Sequence, residues 1–274
     1  MSNLNARVVT VTPQMAAELL RENTRNRNIS DRVVESYARD MAAGRWVLNG
    51  EAVKVSVTGR LLDGQQRLTA VVKAGVSVDM VLVSGLPEAA QDTMDQGRRR
   101  SFADQLAIHG ESNTTVLGSI ARRVFQWDQG NTRFSTGATP TAAELAAVLD
   151  KHPSLRRSAE VGARTAQAFR ATSGTVVGTS HHLLGRVDPE GKFLPEFFAL
   201  FESGAGLPAG HPVLALRNRF VRDRMASKRV PFHLAVALFI RAWNGQVEGR
   251  TMDRLVQTAD EPMPPITSVA DAQS

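Results

Sequence analysis

Strand-forming sequence is confined to the first third of this 274-residue chain, and that asymmetry limits its architecture more than any other feature. Runs rich in β-branched residues occur at Arg7–Val11, at Glu51–Val57 and at Val78–Val83. Past about residue 86 the apolar residues recur at helical spacing instead, as far as Val247. The expected fold class is therefore α+β, with a small α/β N-terminal domain followed by a larger all-α helical domain. The pattern divides the chain into residues 1–90, a helical and basic stretch at 91–260, and a tail at 261–274. That tail carries Pro262, Pro264 and Pro265 among small polar residues and is expected to be poorly ordered.

Local signals place the elements. Thr12-Pro13 offers an N-cap and a proline at the first helical position, starting a helix that runs to about Arg21. Ser30 opens a second helix, with Val33, Val34, Tyr37, Ala38 and Met41 at helical spacing and Gly44 as its stop. Thr58-Gly59 turns the strand from Glu51 into Arg60-Leu61-Leu62, and Gln65–Ala74 is helical up to Gly75. Further helices are expected at Pro87–Asp95, Ser101–His109, Thr114–Gln129, Thr141–Lys151, Pro153–Ala171, Thr175–Val187, Leu194–Ser203, Pro212–Ser227 and Pro231–Val247. Thr141-Ala142-Ala143-Glu144 has the spacing of a capping box.

Hydrophobic residues make up 42% of the chain, enough for a sizeable core, and the net charge is +6. Arginine supplies most of the basicity, which favours nucleotide or nucleic-acid partners through planar, bidentate contacts with phosphate. The absence of cysteine removes disulfides, thiolate nucleophiles and Cys-ligated zinc. The first residues lack the apolar core of a signal peptide, and no run approaches the ~20 apolar residues of a membrane span. The expectation is a soluble, cytoplasmic protein with no membrane partner. The oligomeric state, a homodimer among the options, is left open. The six histidines form no defensible metal-ligand spacing, and no Gly-x-Ser-x-Gly elbow is present.

The most specific local signal is the run Leu61-Leu62-Asp63-Gly64-Gln65-Gln66-Arg67 between a strand and a helix. Gly64 permits a sharp turn, and the helix it opens presents unpaired N–H groups and the positive end of its dipole. Gln65 and Gln66 add amides, and Arg67 a fork suited to phosphate oxygens. Asp63 is either a Mg²⁺ ligand beside a triphosphate or an ordinary N-cap. Glu51 starts the strand that precedes the turn and is either a general base near the phosphates or a solvent-facing strand end. Two basic groups are candidates for DNA contact: Arg98-Arg99-Arg100, and the helix carrying Arg217, Arg219, Arg222, Arg224, Lys228 and Arg229. Leu214, Phe220, Val221 and Met225 would form the apolar side of that helix.

The segment Arg60–Gly75, followed by Val78 to Leu86, resembles the phosphate-binding box of the ParB/sulfiredoxin superfamily. It is nearest the branch named for its Asp-Gly-Gln-His/Gln-Arg motif, over residues 5–90 or so. The resemblance implies a ParB-like α/β domain that binds CTP or ATP with Mg²⁺. In it Gly64, Gln65, Gln66 and Arg67 face the phosphates, and Asp63 faces the metal or the γ-phosphate. It further implies a nucleotide-regulated DNA-binding protein, of regulatory or phage/plasmid type, in which slow hydrolysis, an NTPase activity, serves as the switch. The superfamily offers two alternatives, a free-amino-acid kinase with Glu51 as base and a metal-dependent nuclease. Sulfiredoxin chemistry is excluded, since that box uses a cysteine. The Asn-x-Gln-Arg signature of the region that closes a ParB clamp has no counterpart here.

Overall fold

The computed structural model describes residues 4–23, 29–93, 101–135, 137, 139–258 and 260–270. The chain forms two compact units, one of Met1–Arg99 with Thr136–Glu144, the other of Arg100–Ser135 with Leu145–Ser274. The fold is α+β, with a four-stranded mixed sheet and, among the described residues, eleven α-helices.

In the first unit the strands are β1 (Asn5–Val11), β2 (Ala52–Ser56), β3 (Leu61–Asp63) and β4 (Val78–Leu86), arranged β1-β4-β2-β3. β4 runs antiparallel to β1 and parallel to β2, and β2 and β3 form an antiparallel hairpin. Alternation along the strands sends Val9, Val11, Val53, Val55, Leu61, Met80 and Leu82 into one core. Helices α1 (Pro13–Arg21), α2 (Asp31–Ala42) and α3 (Gln65–Ala74) close that core with Ala16, Val34, Ala38, Met41, Leu68 and Val71. The cap at Thr12 forms, its hydroxyl accepting from Met15 N–H at 3.1 Å. The side chain of Ser30 makes no such bond.

Three features of this unit depart from the expected pattern. β4 extends to Leu86, because Asn5 pairs with Ser84 and Ser56 with Leu86. The expected helix Pro87–Asp95 is a 3-10 helix at Glu88–Thr93, with Asp95 outside the described residues. Glu88 is drawn onto the β2–β3 hairpin by Thr58 Oγ1 at 2.6 Å and by Arg60, while Arg60 Nη1 also donates to Gln91 Oε1 at 2.7 Å. Those bonds hold the connection as a short, tight turn. Finally, Thr136–Glu144 belongs with this unit although it lies far along the chain. Arg39 Nη2 donates to Thr139 O at 2.9 Å and its Nε to Glu144 Oε1 at 3.1 Å, and Thr141 Oγ1 donates to Asp40 Oδ1 at 2.9 Å. Periodicity along the chain carries no information about ion pairs spanning about a hundred residues.

The second unit contains α4 (Phe102–Ile108), α5 (Thr114–Asp128), α7 (Leu155–Ala168), α8 (Gly174–Gly185), α9 (Leu194–Ser203), α10 (Pro212–Met225) and α11 (Phe232–Val247). α6 (Ala142–Lys151) starts in the returning segment with a capping box: Glu144 N–H donates to Thr141 Oγ1 at 3.0 Å and Thr141 N–H to Glu144 Oε2 at 2.7 Å. α8 is packed by α5, α7 and α11, and α11 is buried along most of its length. Phe197, Phe198, Phe201, Phe220, Phe239 and Trp243 form a connected aromatic core. No described helix is long and apolar enough to cross a membrane.

The segment expected to be a loose tail is instead docked through residue 270. Trp243 Nε1 donates to Thr267 O at 3.0 Å, Asn244 Nδ2 to Pro265 O at 2.8 Å, and Thr267 N–H to Asn244 Oδ1 at 3.0 Å. Val269 is buried, and Met263 and Ile266 pack on the aromatic core. Composition misleads here because buried partners on α11 satisfy the backbone groups that the prolines leave without a ladder. Residues 271–274 lie outside the described residues.

Candidate functional site

The β2–β3 pairing builds the candidate site. Lys54 on β2 lies opposite Asp63 on β3, with a register shift beside it, and the chain then turns at Gly64 into α3. Gly64 takes φ +102°, and a Cβ there would meet Val53 Cγ2 at 3.1 Å and Val53 Cα at 3.2 Å. A side chain is thus disfavoured by conformation, and Val53 on β2 would have to yield by a few tenths of an ångström to admit it. Backbone conformation and packing together account for this glycine.

Asp63 is a hub. Its Oδ1 accepts from Gly64 N–H at 2.6 Å, and its Oδ2 from Lys54 Nζ at 3.0 Å and Arg67 Nη2 at 3.5 Å. Arg67 Nη2 also donates to Ala52 O at 2.8 Å. The side chains of Asp63, Lys54 and Arg67 are 16%, 27% and 11% exposed, so the cluster is largely sheltered from water. Arg67 Nη1 is fully buried without an acceptor in the structure. Such an orphan donor costs about 1–3 kcal/mol and calls for an explanation. Gln65 is 6% exposed and accepts from Asn23 Nδ2 at 3.0 Å, which makes it part of the core wall, whereas Gln66 is half-buried. Glu51 is exposed and lies just before β2 rather than in it, its N–H donating to Asn49 Oδ1 at 3.1 Å.

The geometry therefore brings together Asp63, Gly64 and Arg67, adds Lys54, and turns Gln65 inward. Lys54 escaped the sequence reading. Counting across the hairpin would not have fixed it, because the turn closed by Ser56 N–H and Arg60 O is followed by a register shift beside Lys54 that sets it opposite Asp63. A protein-held Mg²⁺ does not fit this donor set. Both oxygens of Asp63 are engaged, two of their three donors are cations, and no three His, Asp or Glu side chains among the described residues converge as a metal site.

The basic helix α10 divides in two. Arg217 is half-buried, donates to Phe201 O and to Glu202 O at 3.1 Å, and lies 4.3 Å from the centroid of the Phe169 ring. Burial lowers its pKa from the usual guanidinium range. Arg219 pairs with Asp223 at 2.7 Å, with 11% and 9% of the side chains exposed, and also donates to Leu255 O at 3.1 Å. Those two arginines are fixing α10 in place and are not available to DNA. Arg222, Arg224, Lys228 and Arg229 are exposed, Arg224 donating to the carbonyl of Arg170. Of the expected apolar side, Phe220 is buried, but Val221 is 40% and Met225 82% exposed. Arg98, Arg99 and Arg100 lie outside the described residues.

A second polar cluster lies in the helical unit. Asp128 accepts from His152 Nε2 at 2.9 Å, Arg186 Nη1 at 2.8 Å and Lys151 Nζ at 3.3 Å. Burial alone would raise its pKa; the bonds from His152, Arg186 and Lys151 overcome this and hold it at about 2. His152 meets His182 edge to face at 5.0 Å, and Ser158 Oγ lies 2.9 Å from His181 Nδ1. Burial pushes His181 and His182 down to about 4, helped by Arg157 and Arg164 at the first and by His152 and Arg186 at the second, against Asp128. No nucleophile there completes a relay with Asp128, because Ser154 approaches His182 (3.4 Å) and not His152.

The chain matches no protein-family model, no curated protein and no solved structure.

Proposed function

We propose that the N-terminal unit is a ParB-like domain that binds the phosphates of CTP or ATP at the Gly64 turn, and that nucleotide binding regulates the binding of DNA to α10. The observation that carries the first half is the convergence of Gly64 N–H, Lys54 Nζ and Arg67 Nη2 on one carboxylate at the start of a ten-residue helix. Donors of this kind at a helix N-terminus favour an oxyanion through charge-assisted hydrogen bonds. The second half is supported by Arg222, Arg224, Lys228 and Arg229, exposed on or just beyond α10, where the only acidic residue of the helix, Asp223, is already paired. Glu51 has no partner that orients it toward a phosphate, so the kinase alternative draws no support from the geometry. Among the described residues no carboxylate set gathers to hold a metal, so the nuclease alternative draws no support from them.

Calorimetric titration of CTP, ATP and GTP into wild type and Arg67→Ala tests the nucleotide half. The expected result is binding of CTP or ATP, weakened at least about tenfold by Arg67→Ala, the order of one charge-assisted bond. Absence of heat for all three nucleotides with a folded protein would reject it.

A further inference from the structure

We infer that Asp63 is the site's own stand-in anion, displaced when a phosphate binds, and that Lys54 is a phosphate-binding residue. This rests on the phosphate-binding reading of the Gly64 turn and specifies how that site is regulated.

The donors are already in place. Gly64 N–H, Lys54 Nζ and Arg67 Nη2 all point their hydrogens at the Asp63 carboxylate, at 2.6, 3.0 and 3.5 Å. Three donors that enclose a carboxylate are of the kind and charge that enclose a phosphate oxygen. Two cations against one anion leave an excess positive charge in a sheltered place, where attraction for a polyanion is stronger than in open water. The carboxylate also leaves the set unfinished, because Arg67 Nη1 is buried and has no acceptor. A phosphate group presents more oxygens than Asp63 and can satisfy that donor while keeping the other three. The backbone fixes most of this arrangement: Lys54 faces Asp63 across the hairpin, and Arg67 follows Asp63 by one helical turn. In this exchange the Asp63 side chain rotates away and the phosphate takes its place. Asp63 then acts as a competitor that sets a threshold for phosphate, a role opposite to that of a metal ligand.

Sodium pyrophosphate in metal-free buffer is the probe, titrated calorimetrically into wild type, Asp63→Asn, Lys54→Met and Arg67→Ala, each checked for its circular dichroism. Asn retains an oxygen for Gly64 N–H but gives up the charge. Asp63→Asn is expected to bind about tenfold tighter and Lys54→Met about tenfold weaker than wild type, the order of one charged hydrogen bond. Equal or weaker binding by a folded Asp63→Asn overturns the displacement, and unchanged binding by Lys54→Met overturns the role of that lysine. Should Asp63→Asn fail to fold, Asp63→Ser takes its place, and equal or weaker binding by that variant overturns the displacement. Loss of binding in Arg67→Ala alone, with the other two variants like wild type, overturns this inference and leaves the phosphate site standing. No binding by wild type and by Asp63→Asn overturns both.

Discussion

Arg219 and Arg222 stand three positions apart on α10, carry the same charge, and live in different media. Arg219 is sealed against Asp223 and the carbonyl of Leu255, whereas Arg222 is exposed. Removing one partner of a buried pair leaves an uncompensated charge, so Arg219→Ala is expected to cost about 3–5 kcal/mol in urea unfolding. Arg222→Ala is expected to stay within about 0.5 kcal/mol, as surface changes do. Equal effects would mean that the division of the helix described above is wrong. The histidines give a second test. His181 and His182 have folded pKa values of about 4, below the ordinary value of 6.5. The unfolded chain therefore binds the protons more readily. The stability these residues contribute is present above pH 6.5 and is lost as pH falls toward 4. Between pH 7 and pH 5 the loss amounts to about 2 kcal/mol per histidine. Glu88 and Asp128, each held at about 2, stay ionised in that window and do not confuse the reading. A denaturation midpoint unchanged between pH 7 and 5 would contradict it. Individual side-chain surroundings such as these were the least legible part of the sequence. A basic stripe reads the same whether its arginines face water or a carbonyl, and Lys54 looked like any strand residue until its hairpin partner was fixed.

Helices and strands were far more legible, because capping and periodicity act within one turn. The Thr12, Ser101 and Thr141 starts and the Gly75 stop lie where their chemistry puts them. The failures came where a distant partner intervened: Glu88 tightening the turn after β4, and α11 capturing the proline-rich segment. The α7–α8 crossing belongs to the same class, since no local pattern announces it. A Cβ on Gly162 would lie 2.4 Å from Gly174 O and 3.0 Å from Gly178 N, and one on Gly178 would lie 2.7 Å from Ser158 O. The two helices cross at a distance that only glycine allows. Gly162→Ala meets backbone that cannot step aside and is expected to destabilise by about 1–3 kcal/mol despite better helix propensity. A neutral or stabilising result in thermal unfolding would show that the helices can separate without loss.

Taken as a whole, the chain joins an α/β unit carrying a sheltered cation cluster to a helical unit with an exposed basic edge. The α+β division was readable from the sequence, since strand patterns stop near residue 86, but the return of Thr136–Glu144 to the first unit was not. If α10 tracks a phosphate backbone, duplex binding should weaken with salt. Arg222→Ala with Arg224→Ala should then flatten the log–log slope by about 0.9 for each charge removed. A slope near zero, or one untouched by the double variant, would remove DNA from that surface.

The proposed coupling of nucleotide binding to DNA binding has a direct test. Duplex affinity should be measured by fluorescence anisotropy at fixed salt, with and without saturating CTP or ATP, for wild type and Arg67→Ala. A regulated protein should show a shift of about fivefold or more with nucleotide, in the range of ordinary coupling energies, and Arg67→Ala should abolish the shift while leaving nucleotide-free DNA binding intact. Identical affinities with and without nucleotide, in a protein that binds both, would contradict the coupling.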